Sequence, residues 1–184
     1  MTLRRALLVL FLLPLMSCGF FSRSKSKFYS LDRIAPTAPV RALTGPPVAI
    51  DVVELPPGLD RREMIIRKSD QQLDVRGTQQ WSASLEALVL HTLAFDLADR
   101  LPEGMVILPG QIKPAGATRS ISLAVEALAI GPENAVTLDT RWIVNGATHH
   151  ETIRMDTESL EGAAIASGVS RAIAALADRI AAQL

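Results

Sequence analysis

A chain with a single cysteine cannot close a disulfide within itself, and here that cysteine, Cys18, stands where it is lost to the folded domain altogether. It follows a positively charged start, Met1-Thr2-Leu3-Arg4-Arg5, and the apolar run Ala6 to Leu13, and it closes the string Leu15-Met16-Ser17-Cys18. This is the layout of a bacterial lipoprotein signal over residues 1–17. The string resembles a lipobox, whose cysteine is acylated and becomes the mature N-terminus, although Met16 is a less usual occupant of the middle position. The run falls short of the roughly 20 apolar residues that span a bilayer, so it does not read as a transmembrane helix. Acyl chains on Cys18 bury methylenes at ~0.8 kcal/mol each, enough to hold the protein on its membrane. No disulfide, thiolate nucleophile or cysteine-ligated metal is then left, and the domain beyond must rely on core packing.

The composition permits such a core. Residues 18–184 number 167, enough for one domain. Without Arg4 and Arg5, 17 basic residues face 19 acidic ones, a net charge of −2 with no clustered basic surface of the kind nucleic acid requires. Aromatic residues are only 4% of the chain against 48% hydrophobic, so the core is expected from Leu, Ile, Val and Ala.

Residues 18–46 are rich in Ser, Lys, Arg and Pro and read as a lipidated tether, interrupted by a short possible strand at Phe28-Tyr29-Ser30-Leu31-Asp32. From 47 to 184 a single α+β periplasmic domain is expected. Val48, Ile50 and Val52 alternate with Ala49, Asp51 and Val53 as in a half-buried strand, which ends at Leu55-Pro56-Pro57-Gly58. Met64 to Arg67 and Gln72 to Val75 suggest two more strands. Ser82 to Leu101 reads as a helix capped by Ser82 or Ser84, and its apolar girth is broad enough to touch a sheet plus a second helix or another subunit. Met105 to Leu108, Ser120 to Ile130, Ala135 to Val144 and Thr148 to Met155 give further strands. The last three form an antiparallel meander with a hairpin at Asn145-Gly146 and a polar edge strand. A final helix over Glu158 to Ala182, with Thr157 as its cap, carries the stripe Ile165, Val169, Ala172, Ile173, Leu176 and Ile180 and an alanine-rich opposite face. The fold expected is an antiparallel or mixed sheet with two principal helices on one face.

The residues of catalysis are missing from this pattern. His91 lies in the first helix without a supporting ligand four residues away, and His149-His150-Glu151 alternate across a strand and cannot share one ion, so no metal site is expected. There is no G-x-S-x-G elbow and no phosphate-cradling glycine loop. Asp96 and Asp99 read as solubilising charge on a helix surface. The chain is expected to be no enzyme and to need no cofactor.

One stretch is distinctive: Leu55-Pro56-Pro57-Gly58-Leu59-Asp60-Arg61-Arg62-Glu63-Met64-Ile65-Ile66-Arg67, followed by Gln80-Trp81-Ser82-Ala83-Ser84-Leu85. It resembles the ABC-type transport auxiliary lipoprotein family, of the paraquat-inducible protein C type. That family carries a Leu-Pro-x-Tyr-Leu-Asp-Arg-Pro-Gln-Ile-Val-x-Arg-like element and then Arg-Trp-Ala-x-Pro-Leu opening a helix. Leu59, Asp60, Arg61, Arg67, Trp81 and Leu85 match; Gly58, Arg62 and Glu63 replace Tyr, Pro and Gln, and Gln80 and Ser84 replace Arg and Pro. Tyr29-Ser30-Leu31-Asp32, the Leu138 to Val144 strand with Trp142, and Gly168 to Ala181 also fit.

The resemblance implies a non-catalytic subunit of an intermembrane lipid-transport system. Its partners would be an MCE-domain protein forming the lipid conduit and the permease components of the transporter. The Leu59-Asp60-Arg61-Arg62 loop reads either as a capped turn or as the partner contact, and Trp81 with Leu85 as a packing motif at the helix entry. Gly19 after Cys18, in place of aspartate, favours the periplasmic face of the outer membrane. A homo-oligomeric ring is a further expectation, drawn from the two broad helix faces. The competing reading is an outer-membrane biogenesis lipoprotein, a plug or chaperone like the lipopolysaccharide-assembly lipoprotein; a lipid carrier with its own large apolar pocket is a third.

Overall fold

A computed structural model describes residues 25–69, 71–113, 116 and 118–184. Cys18 and the signal lie outside the described residues. Ten elements follow in chain order: β1 (Lys27–Tyr29), β2 (Val48–Glu54), β3 (Glu63–Arg67), β4 (Leu73–Trp81), α1 (Leu85–Arg100), β5 (Val106–Ile107), β6 (Arg119–Gly131), β7 (Ala135–Val144), β8 (Ala147–Asp156) and α2 (Gly162–Ala181). The fold is α+β with two mixed sheets. A five-stranded sheet runs β5-β2-β6-β7-β8 and a three-stranded one β1-β4-β3. In the large sheet β2 is parallel to both β5 and β6, and β6, β7 and β8 form the antiparallel meander. Asn145 (φ 50°) and Gly146 (φ 77°) make its hairpin turn with both residues left-handed.

Alternation of side chains explains which face of the large sheet is covered. Ile121, Leu123 and Val125 of β6, Val136, Leu138 and Trp142 of β7 and Ile153 of β8 are buried with Ile165, Val169, Ile173, Leu176 and Ile180 of α2. One expectation within β2 fails: Val53 is buried and Val52 exposed. The pairing of β2 with β6 shifts register between Ile50 and Val52, and such a bulge reverses which residues face inward.

Of the two candidate caps Ser84 serves α1, accepting from the Ala87 amide at 3.3 Å. Helix α2 begins at Gly162 rather than Glu158, and Thr157 does not cap it. The Thr157 hydroxyl donates to the Ser159 carbonyl and the Ser159 hydroxyl accepts from the Glu161 amide, which holds 157–161 in a turn that competes with helix. Gly162 then meets the Tyr29 ring so closely that a Cβ would sit 2.3 Å from it. The alanine-rich face is used in part inside the chain, since Ala166, Ala174, Ala177 and Ala181 are buried while Ala163 is exposed.

Residues 27–46, assigned to the tether on composition, are fastened to the domain. β1 pairs with the end of β4, and Leu31 is buried. The Asp32 amide donates to Ser170 Oγ, the Ile34 amide to Asp96 Oδ1 (both 2.9 Å), and the Arg41 amide to the Arg100 carbonyl. Asp96 is therefore no surface charge: it is buried beneath this strap, and burial pushes its carboxyl above the usual carboxylate range against the pull of the Ile34 amide and Arg100. Asp99 pairs with Arg33, whose guanidinium also lies 5.5 Å over the Phe95 ring. Buried Arg100 reaches the Asp96 carbonyl at 2.8 Å and Asp178 at 2.5 Å, linking α1 to α2. The broad girth of α1 is met within the chain by the sheet, α2 and this strap.

Candidate functional site

The distinctive loop begins where β2 ends. Pro56 and Pro57 have no amide to offer a ladder, and the Leu59 amide instead donates to the Pro56 carbonyl at 3.2 Å. Gly58 sits at φ +95°, which completes a turn of type II with proline second and glycine third. The departure from the family's tyrosine at this position thus coincides with a backbone conformation that favours glycine. The turn directs Leu59 against the core while Asp60, Arg61 and Arg62 stay exposed. Arg61 faces Glu63 at 3.5 Å, an exposed pair worth little. The Arg62 carbonyl accepts from the Trp81 amide at 2.7 Å, tying the loop's far end to β4.

Leu59 lies on one wall of a groove of about 220 Å³. Pro56 and Pro57 continue that wall, Ile65 and Leu73 of the β3–β4 hairpin form the other, and Ala127 and Ala129 of β6 lie along its floor. Arg67 and Glu126 stand at its rim. Opposite Ile65 in register, Val75 is 44% exposed, and Leu73, opposite Arg67, is 53% exposed. The groove is below the roughly 300–1,000 Å³ typical of small-molecule sites, and it suits a few inserted side chains better than a whole lipid.

Trp81 and Leu85 belong to packing. Both are buried, Trp81 at the end of β4 and Leu85 at the first turn of α1, away from the groove. The structure thus brings Leu59 to a groove and leaves the three charged residues beside it on the surface.

A second cluster was not apparent from sequence. His149 stacks on Trp142 with ring centres 5.3 Å apart, and Glu151 pairs with Arg179 at 2.9 Å. His150 projects from the other face of β8, with Nε2 2.8 Å from Asp139 Oδ1 and 3.5 Å from Glu126 Oε2. The His149-His150-Glu151 trio is split as alternation requires, while Glu126, Asp139 and His150 converge with ligand atoms within 4.8 Å of one another. The hairpin register at Asn145-Gly146 carries the signal for Asp139 beside His150, since Arg141 pairs with His150 and Asp139 with Thr152. Glu126 joins them from a bulge, visible in the sequence only as a change of phase between Ile121, Leu123 and Val125 and then Leu128 and Ile130.

The model of the ABC-type transport auxiliary lipoprotein component family matches residues 29–181. A crystal structure of an uncharacterized protein is similar with a TM-score of 0.70 at 17% identity, covering 86% of this chain and 98% of the other. The protein XCC0632 from Xanthomonas campestris, of family DUF330, is similar with a TM-score of 0.59 at 12% identity, covering 85% and 97%. At these identities the two structures speak for the fold alone. No curated protein matches the sequence.

Proposed function

Because the chain belongs to the ABC-type transport auxiliary lipoprotein family, we propose that it serves as the membrane-anchored, non-catalytic subunit of an MCE/ABC-type intermembrane lipid-transport system. Cys18 carries the lipid, and the domain sits at the periplasmic face of the outer membrane. The observation that carries this reading is the family match over nearly the whole folded region, from the Tyr29 element through α2. The groove beside Leu59 is the docking site for the MCE-domain partner: it offers apolar side chains at its centre with Arg67 and Glu126 at its margin, the composition of a protein contact. Lipid passes through the partner's conduit, and no bond is made or broken here.

The test is co-purification of the MCE protein with the full chain. Asp60→Lys combined with Arg61→Glu reverses two exposed charges on a surface turn, so folding is expected to survive and partner recovery to fall severalfold. Wild-type recovery with the folded double variant would reduce the loop to a turn without a partner. Failure of the unmutated chain to bind any MCE protein would replace this reading with the outer-membrane biogenesis plug.

A further inference from the structure

We propose that Glu126, Asp139 and His150 form a binding site for a divalent transition-metal ion of the zinc class. The proposal stands on backbone geometry as well as on side-chain chemistry, and it does not depend on the groove's occupant. On the solvent-facing side of the large sheet three adjacent strands each contribute one donor: β6 a carboxylate, β7 a carboxylate, β8 an imidazole nitrogen. Val125 pairs with Thr140 and Ala127 with Asp139, so Glu126 is the extra residue of a bulge. Glu126 therefore lies with Ala127 on the open face opposite Asp139, and its carboxylate reaches His150 beyond.

The donors are also held. Glu126 uses Oε1 to accept from Arg141 Nε at 2.7 Å, which leaves Oε2 on the His150 side, 3.5 Å from Nε2. Asp139 Oδ1 accepts from the Thr152 hydroxyl at 3.0 Å. Outer hydrogen bonds of this kind orient carboxylate ligands. A tetrahedral ion with bonds of about 2.0–2.1 Å sets its ligand atoms about 3.3 Å apart, so the Glu126–His150 spacing already fits and Asp139 needs a small rotation. The exposed side of the cluster leaves room for a water in the fourth position. An imidazole between two carboxylates selects zinc-class ions over calcium and magnesium, which prefer oxygen alone. Arg141 is the opposing element, and its cation keeps the affinity moderate.

The experiment is calorimetric titration of the untagged full chain in detergent with zinc chloride, after alkylation of any free thiol. One saturable site per chain is expected, with a rise in the unfolding midpoint on saturation and no comparable binding of magnesium chloride. Glu126→Gln and His150→Ala should each weaken zinc at least tenfold, and His149→Ala, on the opposite face, should leave it unchanged. If His150→Ala does not fold, Asp139→Asn, which keeps the shape, decides by the same criterion. The proposal is overturned by the absence of a saturable zinc site, or by wild-type affinity in a folded Glu126→Gln, His150→Ala double variant.

Discussion

Trp142 and Ile143 are neighbours on β7 with opposite surroundings: the tryptophan is 3% exposed and the isoleucine 47%. The difference belongs to the two faces of the large sheet. Toward the helices, aliphatic side chains of β6, β7 and α2 interlock, and sequence period is a faithful guide to position. Toward solvent, Thr137, Asp139, Arg141, His150, Thr152 and Arg154 alternate with them, and the order comes from charge pairs such as Arg141 with Glu126 and Arg154 with Glu133. Along the same face, Val52 and Ile143 form a small apolar depression with Ala124. The covered face holds the fold together, whereas the open one carries charge pairs and has the groove at its margin.

Breaking the covered face should have the largest effect. Leu176→Ala removes a fully buried side chain from α2, and urea unfolding is expected to show a loss of about 2–5 kcal/mol. A subtler probe is Asp96→Asn beneath the strap. The folded carboxyl of Asp96 titrates above its unfolded value, so the stability it lends is present below the unfolded value and fades as pH rises through the folded one. Asp96→Asn keeps an oxygen for the Ile34 amide and cannot ionise, and its unfolding free energy should fall less than the wild type's between pH 3 and pH 7. A steeper fall would show that the carboxylate itself is required there. Smallest is Leu73→Glu on the groove wall, where a residue already half in water should change stability by no more than about 0.5 kcal/mol while reducing partner recovery. A large loss of stability in that variant would move the groove into the core and erase the contrast between the two faces.

Sequence pattern reached the covered face and the meander because both depend on neighbours close in the chain. The Asn145-Gly146 turn set the β7–β8 register, and α2 displayed its stripe within 20 residues. It did not reach the parallel seating of β2 between β5 and β6, since nothing local to Val48–Glu54 encodes partners so distant. Asp96 was misread because its cause for burial is Ile34, 62 residues away, in a segment whose polar composition suggested solvent. The groove was half legible: the turn at Pro56-Pro57-Gly58 and the Leu59 motif were visible, but its opposite wall at Leu73 and floor at Ala127 come from other strands. The bulge at Glu126 shows the same limit at one residue's scale, because it turns Ala127 and Ala129 to the open face and Leu128 and Ile130 inward.

The seating of β2 also sets an order of events in time. Its first pair with β6 joins Val48 to Arg119, about 70 residues later, and β1 waits about 50 residues for β4. Pairings so far apart must close large loops before any contact rewards them, which makes folding slow. A chain emerging amino end first exposes β2 with neither lateral neighbour until β5 and β6 have followed, and α2 arrives last to cover the sheet. During that interval Val48, Val53, Ile121 and Leu123 are bare to solvent and open to aggregation, an exposure that an architecture built from local hairpins would cut short.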